Sequence, residues 1–145
     1  MPIPQWSQEY ETGFPVIDQQ HQEMFNLVIK LQQAILIPNN QLVIKELLET
    51  LLQDTVAHFR LEEDLMQEHC YPAYEQHKQI HDRLTAKIRK VLHQLEVNEE
   101  FTVVNKELSH FLHQWLVHHI QGQDRKMIQF FRERNVLERE YSRQN

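Results

Sequence analysis

The sequence predicts an all-α protein, an antiparallel up-down-up-down four-helix bundle with a metal site in its core. Its 145 residues include only 2 Gly and 5 Pro, too few for a turn-rich β protein. Apolar residues recur at steps of three and four along four segments, as on the buried stripe of an amphipathic helix. Short connections separate these segments, and short connections favour antiparallel neighbours in a bundle.

The first two helices are bounded by clear start and stop signals. We predict the first from Asp18, a candidate N-cap, to about Leu36, where the residues IPNN at 37–40 end it. The second runs from about Gln41 to Glu68, because Pro72 prevents any continuation.

The last two helices complete one domain. We predict the third from about Ala73 to Leu95 and the fourth from about Thr102 to Arg132. Residues 1–135 would form the bundle, and residues 136–145 are polar and are predicted to be a C-terminal tail.

Composition excludes several classes of function. A formal net charge of −6 argues against nucleic acid or an anionic membrane as the partner. No apolar run approaches the roughly 18 residues of a membrane span, and the first ten residues lack the features of a secretory signal. A single cysteine, Cys70, excludes an internal disulfide and suits a reducing compartment, so we expect a cytoplasmic protein.

Histidines interrupt all four apolar stripes. Two pairs, His58 with Glu62 and His77 with His81, have the i, i+4 spacing that places side chains on one face of a helix. A single histidine on such a stripe is usually a core residue bonded to a backbone carbonyl. Unpaired buried carboxylates would cost several kcal/mol each, so the whole set indicates a metal site. The candidate ligands are His21, His58, Glu62, His77, His81, His119 and Asp124.

Asp124 is the least regular member of this set. Five residues advance a regular helix by about 500°, which turns Asp124 some 140° away from His119. We predict a π-type turn near Gly122 that brings Asp124 back, since such turns gather at functional sites. Gln123 is the alternative on a regular helix, but a neutral amide is a poor ligand.

The donor set favours a pair of iron ions. Five imidazoles and two carboxylates exceed one tetrahedral zinc site and contain too much nitrogen for calcium or magnesium. Two six-coordinate irons offer about twelve positions, which these donors and one bridging oxo or hydroxo group fill except for one. The ferritin-like pattern needs two Glu-x-x-His motifs, and the chain has only Glu107 to His110.

The chain resembles the bacterial hemerythrins, a single-domain di-iron family that binds oxygen. The matching stretches are GFPVIDQQHQEMF, HFRLEEDLM, HKQIH and WLVHHIQGQD, which span roughly residues 6–131. The family pattern selects His119 rather than the adjacent His118 and uses the same five-residue step to Asp124. The resemblance implies reversible O2 binding for storage, delivery or sensing, without catalysis.

The resemblance also implies a role for each site residue. His77, His81 and His119 would hold one iron, and His21 and His58 would hold the other, which keeps the vacant position for O2. Glu62 and Asp124 would bridge the pair. The O2 pocket would be lined by Phe59, Trp115, Leu116 and Ile120, and Leu84 stands where some relatives have an aromatic residue. The other histidines match no ligand position and are expected at the surface or behind the ligands: His69, His93, His110, His113 and His118.

Two other functions fit part of the pattern. The same metal ions could serve a di-iron oxidase or an enzyme that handles peroxide or NO, although no further acid/base pair is readable. A histidine phosphotransfer bundle fits poorly, because its exposed histidine precedes a lysine by three residues and no histidine here does so.

Overall fold

The computed structural model of the chain describes residues 10–97, 108, 110–112, 114, 115, 119 and 122–134. Every regular element within these ranges is helical. The uninterrupted helices are α1 (Pro15–Ile35), α2 (Gln41–Glu68), α3 (Tyr74–Val97) and α4 (Asp124–Glu133). The described residues between Leu108 and Asp124 are also helical and lead directly into α4. We call these residues together with α4 the fourth helix. The chain is an all-α four-helix bundle, as the sequence predicts.

Helix α1 begins three residues before the predicted start, so Asp18 as its N-cap was wrong. The N-cap is Phe14 in an extended conformation, and Pro15 follows at the first helical position. Proline suits that position because its φ is already helical and its missing N–H would have no partner there. Asp18 instead lies in the first turn, where its carboxylate accepts hydrogen bonds of 2.8 Å from both the backbone N–H and the hydroxyl of Thr12.

Helices α2 and α3 follow the predicted bounds closely. Helix α2 matches them, and α3 begins at Tyr74 and extends to Val97, two residues beyond the prediction. Because residues 36–40 and 69–73 are short connections, consecutive helices run antiparallel, and α2 packs against both α1 and α3. The predicted start of the fourth helix near Thr102 and the domain boundary at 135/136 lie outside the described residues, and both stay predictions.

Two apolar clusters fill the interior of the bundle, one on either side of the buried histidines and carboxylates that interrupt the apolar stripes. The cluster toward the 69–73 connection contains Phe14, Ile17, Leu65, Met66, Met127, Ile128 and Phe131. The larger cluster lies toward the 36–40 connection and includes Leu31, Leu48, Leu51, Phe59 and Trp115. Along α1, His21 lies between Ile17 of the first cluster and Met24 of the second. The polar residues therefore occupy a layer bounded by apolar side chains at both ends.

None of the helices among the described residues is both long and apolar enough to cross a lipid bilayer.

The larger apolar cluster predicts how the stability of the metal-free chain changes when a single leucine side chain is shortened to alanine. Leu48 is fully buried, so Leu48→Ala should lower the free energy of unfolding by about 2–5 kcal/mol, through lost burial and the cavity left behind. Leu42 on the same helix is 71% exposed, and Leu42→Ala should change it by less than about 0.5 kcal/mol. Urea denaturation of the metal-free protein measures both values, and similar losses from the two changes would contradict this core.

Candidate metal centre

All seven candidate ligands project into one layer of the bundle. Helix α1 contributes His21, α2 contributes His58 and Glu62, α3 contributes His77 and His81, and the fourth helix contributes His119 and Asp124. Each of the seven is at most 3% exposed. The i, i+4 spacing on α2 and α3 stacks each pair on the buried face, so four helices deliver their polar side chains to the same depth in the core.

The fourth helix changes its winding where the ligand spacing requires it. Trp115, His119, Gly122 and Gln123 are π-helical, and the regular α-helix resumes at Asp124. A π-helix closes its hydrogen bonds over five residues, which brings side chains five apart onto one face. This is the winding predicted for the segment. It places Asp124 in the buried layer, whereas Gln123 is half-buried and lines a groove between α3 and the fourth helix.

The carboxylate of Glu62 contacts histidines on both sides. Its Oε2 lies 3.0 Å from Nε2 of His58. Its Oε1 lies 3.1 Å from Nε2 of His81 and 3.6 Å from Nε2 of His77. One oxygen therefore faces α2's own histidine, and the other faces the histidine pair of α3.

Asp124 repeats this arrangement from the opposite side of the layer. Its Oδ2 lies 3.1 Å from Nε2 of His21. Its Oδ1 lies 3.3 Å from Nε2 of both His77 and His119. Each carboxylate thus has one oxygen near a histidine of α1 or α2 and the other near histidines of α3 or the fourth helix, an arrangement that could bridge two metal ions.

The donors divide into two groups that share both carboxylates. In each group, one ligand atom from every residue lies within 4.8 Å of the others. We call the first the three-histidine group, which contains Glu62, His77, His81, His119 and Asp124. We call the second the two-histidine group, which contains His21, His58, Glu62 and Asp124.

The layer leaves strong polar atoms without hydrogen bonds, which suits a bound cation. Both oxygens of Glu62, both oxygens of Asp124 and Nε2 of His77, His81 and His119 are buried, and none makes a well-directed hydrogen bond within the described part of the chain. Burying such atoms unbonded costs about 1–3 kcal/mol each, and more for charged groups. These atoms belong to two sets of side chains whose ligand atoms lie within 4.8 Å of one another. The residues therefore fit a pair of metal ions.

The electrostatics keep both carboxylates ionised. Burial alone would raise the pKa of Glu62, but the surrounding histidines outweigh burial and hold that pKa well below its usual range. Burial and the neighbouring Glu62 would likewise raise the pKa of Asp124, which the histidines lower to about 2. The core therefore contains two anionic side chains at neutral pH, and both could bind a cation.

The pKa values of His77 and His119 shift in opposite directions. Burial lowers the pKa of His77, but contacts with Asp124 and Glu62 outweigh it and raise that pKa to about 9. Burial, together with repulsion from His81 and His77, lowers the pKa of His119 to about 4 against the attraction of the carboxylates. In the metal-free chain His77 is therefore protonated at neutral pH, and a metal ion would have to displace that proton.

Two residues that the sequence patterns did not indicate contact candidate ligands through Nδ1, the ring nitrogen that faces away from the buried layer. Oε1 of Gln20 lies 2.6 Å from Nδ1 of His58, and Oε2 of Glu63 lies 2.8 Å from Nδ1 of His81. Both are half-buried and off the apolar stripes. The only sequence signal is adjacency, since each is next to a candidate ligand, Gln20 to His21 and Glu63 to Glu62.

Two of the four predicted pocket residues lie beside the donor groups. The ring of Phe59 stacks on the imidazole of His81 with centroids 3.7 Å apart and packs edge-on against His119 at 5.2 Å. Trp115 is 3% exposed and belongs to the same apolar cluster as Phe59. Leu116 and Ile120 lie outside the described residues.

The remaining histidines stay outside both donor groups where the structure describes them. His93 and His110 are exposed, and His69 is half-buried with its ring 6.0 Å from that of Phe131. His113 and His118 lie outside the described residues.

A buried layer of imidazoles and carboxylates, supplied by every helix of a four-helix bundle, defines a class of helical proteins with a metal-binding core. Residues 12–131 match the family model described as the hemerythrin HHE cation binding domain. The chain belongs to the hemerythrin family.

Curated relatives extend over most of the chain. It is 33% identical to a bacteriohemerythrin of Pseudomonas paraeruginosa, over 82% of this chain and 75% of the relative. It is 32% identical to a bacteriohemerythrin of Methylococcus capsulatus, over 81% of this chain and 87% of the relative. A myohemerythrin of Theromyzon tessulatum is 29% identical, over 84% of this chain and 88% of the relative.

The opposed pKa shifts predict how the stability of the metal-free protein depends on pH. His77, whose pKa rises from 6.5 to about 9, stabilises the fold below pH 6.5 and loses that contribution as pH rises to about 9. His119, whose pKa falls from 6.5 to about 4, stabilises above pH 6.5 and loses that contribution as pH falls to about 4.

The free energy of unfolding should therefore peak near pH 6.5 and decrease toward both sides. Urea titrations at several pH values measure this profile, with the metal-loaded protein as the comparison. In the loaded protein the alkaline decrease should disappear, because a metal ion replaces the proton of His77. A steady rise in the stability of the metal-free protein up to pH 9 would contradict these shifts.

Proposed function

We propose that the chain binds O2 reversibly at two iron ions joined by an oxo or hydroxo bridge, and that it is not an enzyme. The observation that carries this proposal is the pair of donor groups that share both Glu62 and Asp124. The three-histidine group would hold one iron and the two-histidine group the other. The physiological use would be oxygen storage, delivery or sensing.

A pair of ferrous ions supplies the two electrons that reversible O2 binding requires. The chain contributes position and charge: Glu62 and Asp124 each direct one oxygen to either group and provide two negative charges to balance the cations. The two-histidine group has one histidine fewer, so its position keeps room for an external ligand.

The apolar surroundings of the donor groups support O2 binding over metal storage. Phe59 and Trp115 are both 3% exposed, and Phe59 packs directly against the imidazoles of His81 and His119. A groove of about 340 Å³, lined by residues that include Ile80, Leu84 and Trp115, reaches His119 from the surface. A small apolar gas can cross such a lining, whereas its low polarity disfavours the water and protons that promote oxidation of iron.

We propose a cytoplasmic location, in line with the single cysteine, and no nucleic-acid or membrane partner, in line with the net charge of −6.

Iron content and optical spectra test the function directly. The protein reconstituted with ferrous iron without oxygen should bind two irons per chain, develop an oxo-to-ferric charge-transfer band in air and lose that band under vacuum. His58→Ala should remove one iron and the band, because it deletes a donor of the two-histidine group. His93→Ala, an exposed histidine outside both groups, should retain both.

A wild-type chain that binds one iron or only zinc, with no such band, would contradict the proposal. Steady consumption of peroxide or NO would instead favour the di-iron enzyme.

The packing of Phe59 predicts how long the oxygen-binding form survives. Phe59→Ala should accelerate the irreversible loss of the charge-transfer band in air by about tenfold, because it opens the apolar wall beside His81 and His119 to water. Leu51→Ala, a fully buried change on the same helix about two turns before His58, should leave this rate unchanged. Equal rates in the two variants, followed by absorbance over hours, would show that the wall has no such role.

A further inference from the structure

One histidine in each donor group is held from behind by a side chain that is not a candidate ligand. His81 of the three-histidine group contacts Glu63, with 2.8 Å between Nδ1 and Oε2. His58 of the two-histidine group contacts Gln20, with 2.6 Å between Nδ1 and Oε1. Since both partner atoms are acceptors, each Nδ1–H donates outward, and the Nε2 of each ring, which faces the layer, is the atom that would bind a metal ion.

The two partners differ in charge although they share geometry. Glu63 presents a carboxylate, and a hydrogen bond to an ionised acceptor is roughly twice as strong as one to a neutral acceptor. Gln20 presents a neutral amide. A carboxylate behind an imidazole makes the opposite nitrogen a better metal ligand. Nε2 of His81 should therefore bind a metal ion more strongly than Nε2 of His58 does.

The surroundings of Glu63 preserve this effect. Its side chain is 18% exposed, which limits screening by water. The amine of Lys78 lies 3.9 Å from Glu63, farther than His81 at 2.8 Å, and it is closer to Asp82 at 3.0 Å. The charge of Glu63 therefore acts chiefly on His81.

We propose, on the basis of the proposed function, that Glu63 is a positioning residue that makes the three-histidine group the stronger of the two metal sites. The first metal ion then binds in the three-histidine group, and the second binds in the two-histidine group once Glu62 and Asp124 are already oriented by the first. The difference between Glu63 and Gln20 sets this order together with the additional histidine.

Titration of the metal-free full chain with Co²⁺ tests the order. In the presence of a competing chelator and without oxygen, the wild type should show two binding steps whose dissociation constants differ by about tenfold or more. Variant His58→Ala should lose the weaker step, and His81→Ala should lose or strongly weaken the tighter one. The visible absorption of bound Co²⁺ reports each step separately.

The role of Glu63 is tested by changing charge without changing shape. Glu63→Gln keeps an acceptor for His81 and should weaken binding in the three-histidine group by about 10- to 100-fold, so that the two steps merge or exchange order, while binding in the two-histidine group stays unchanged. Asp64→Asn, the same charge change at the adjacent exposed residue, should leave both steps unchanged. Gln20→Glu should lower the dissociation constant of the weaker step and so reduce the difference between the two dissociation constants. This variant tests the inference even if Glu63→Gln fails to fold.

The outcomes separate this inference from the proposed function. If the wild type binds two Co²⁺ ions but Glu63→Gln behaves as Asp64→Asn does, or if Gln20→Glu leaves the weaker step unchanged, the inference is overturned and the binuclear site stands. If the wild type binds no Co²⁺ in the layer, the proposed function is overturned with it.

Discussion

The burial of Glu62 and Asp124 is the constraint on which the rest of the structure depends. Two ionised carboxylates lie fully inside a helical core, with their oxygens 3.0–3.6 Å from five imidazole nitrogens. Removing such charges from water costs several kcal/mol per ion. The surrounding histidines offset this cost, but they leave all four carboxylate oxygens without well-directed hydrogen bonds. A pair of cations between the carboxylates would bind these oxygens and stabilise the fold, because binding free energy at a buried site becomes folding free energy.

This constraint explains the arrangement of the helices. Each helix must bring its polar residues to the same depth, and the short connections at 36–40 and 69–73 maintain that register between α1, α2 and α3. The fourth helix meets the requirement through π-helical winding at His119, Gly122 and Gln123. Apolar clusters on both sides then keep water away from the layer, so the same packing that stabilises the bundle also sets the electrostatics of the site.

Much of the fold could be predicted from the sequence, because its signals are local. Pro72 and the 37–40 segment gave the bounds of α2, and histidines on apolar stripes indicated which side chains point inward. The start of α1 was missed because Phe14 offers no capping side chain and Asp18 resembles one. Gln20 and Glu63 were missed because their contacts cross between helices, and such distances follow from packing rather than from spacing along one helix.

Anomalous diffraction at the iron edge from crystals of the iron-loaded protein tests the central claim most directly. We expect two peaks within about 4 Å of each other, both inside the bundle and both flanked by oxygens of Glu62 and Asp124. A single peak, a peak at the protein surface, or a layer in which either carboxylate turns away from the metal would contradict it.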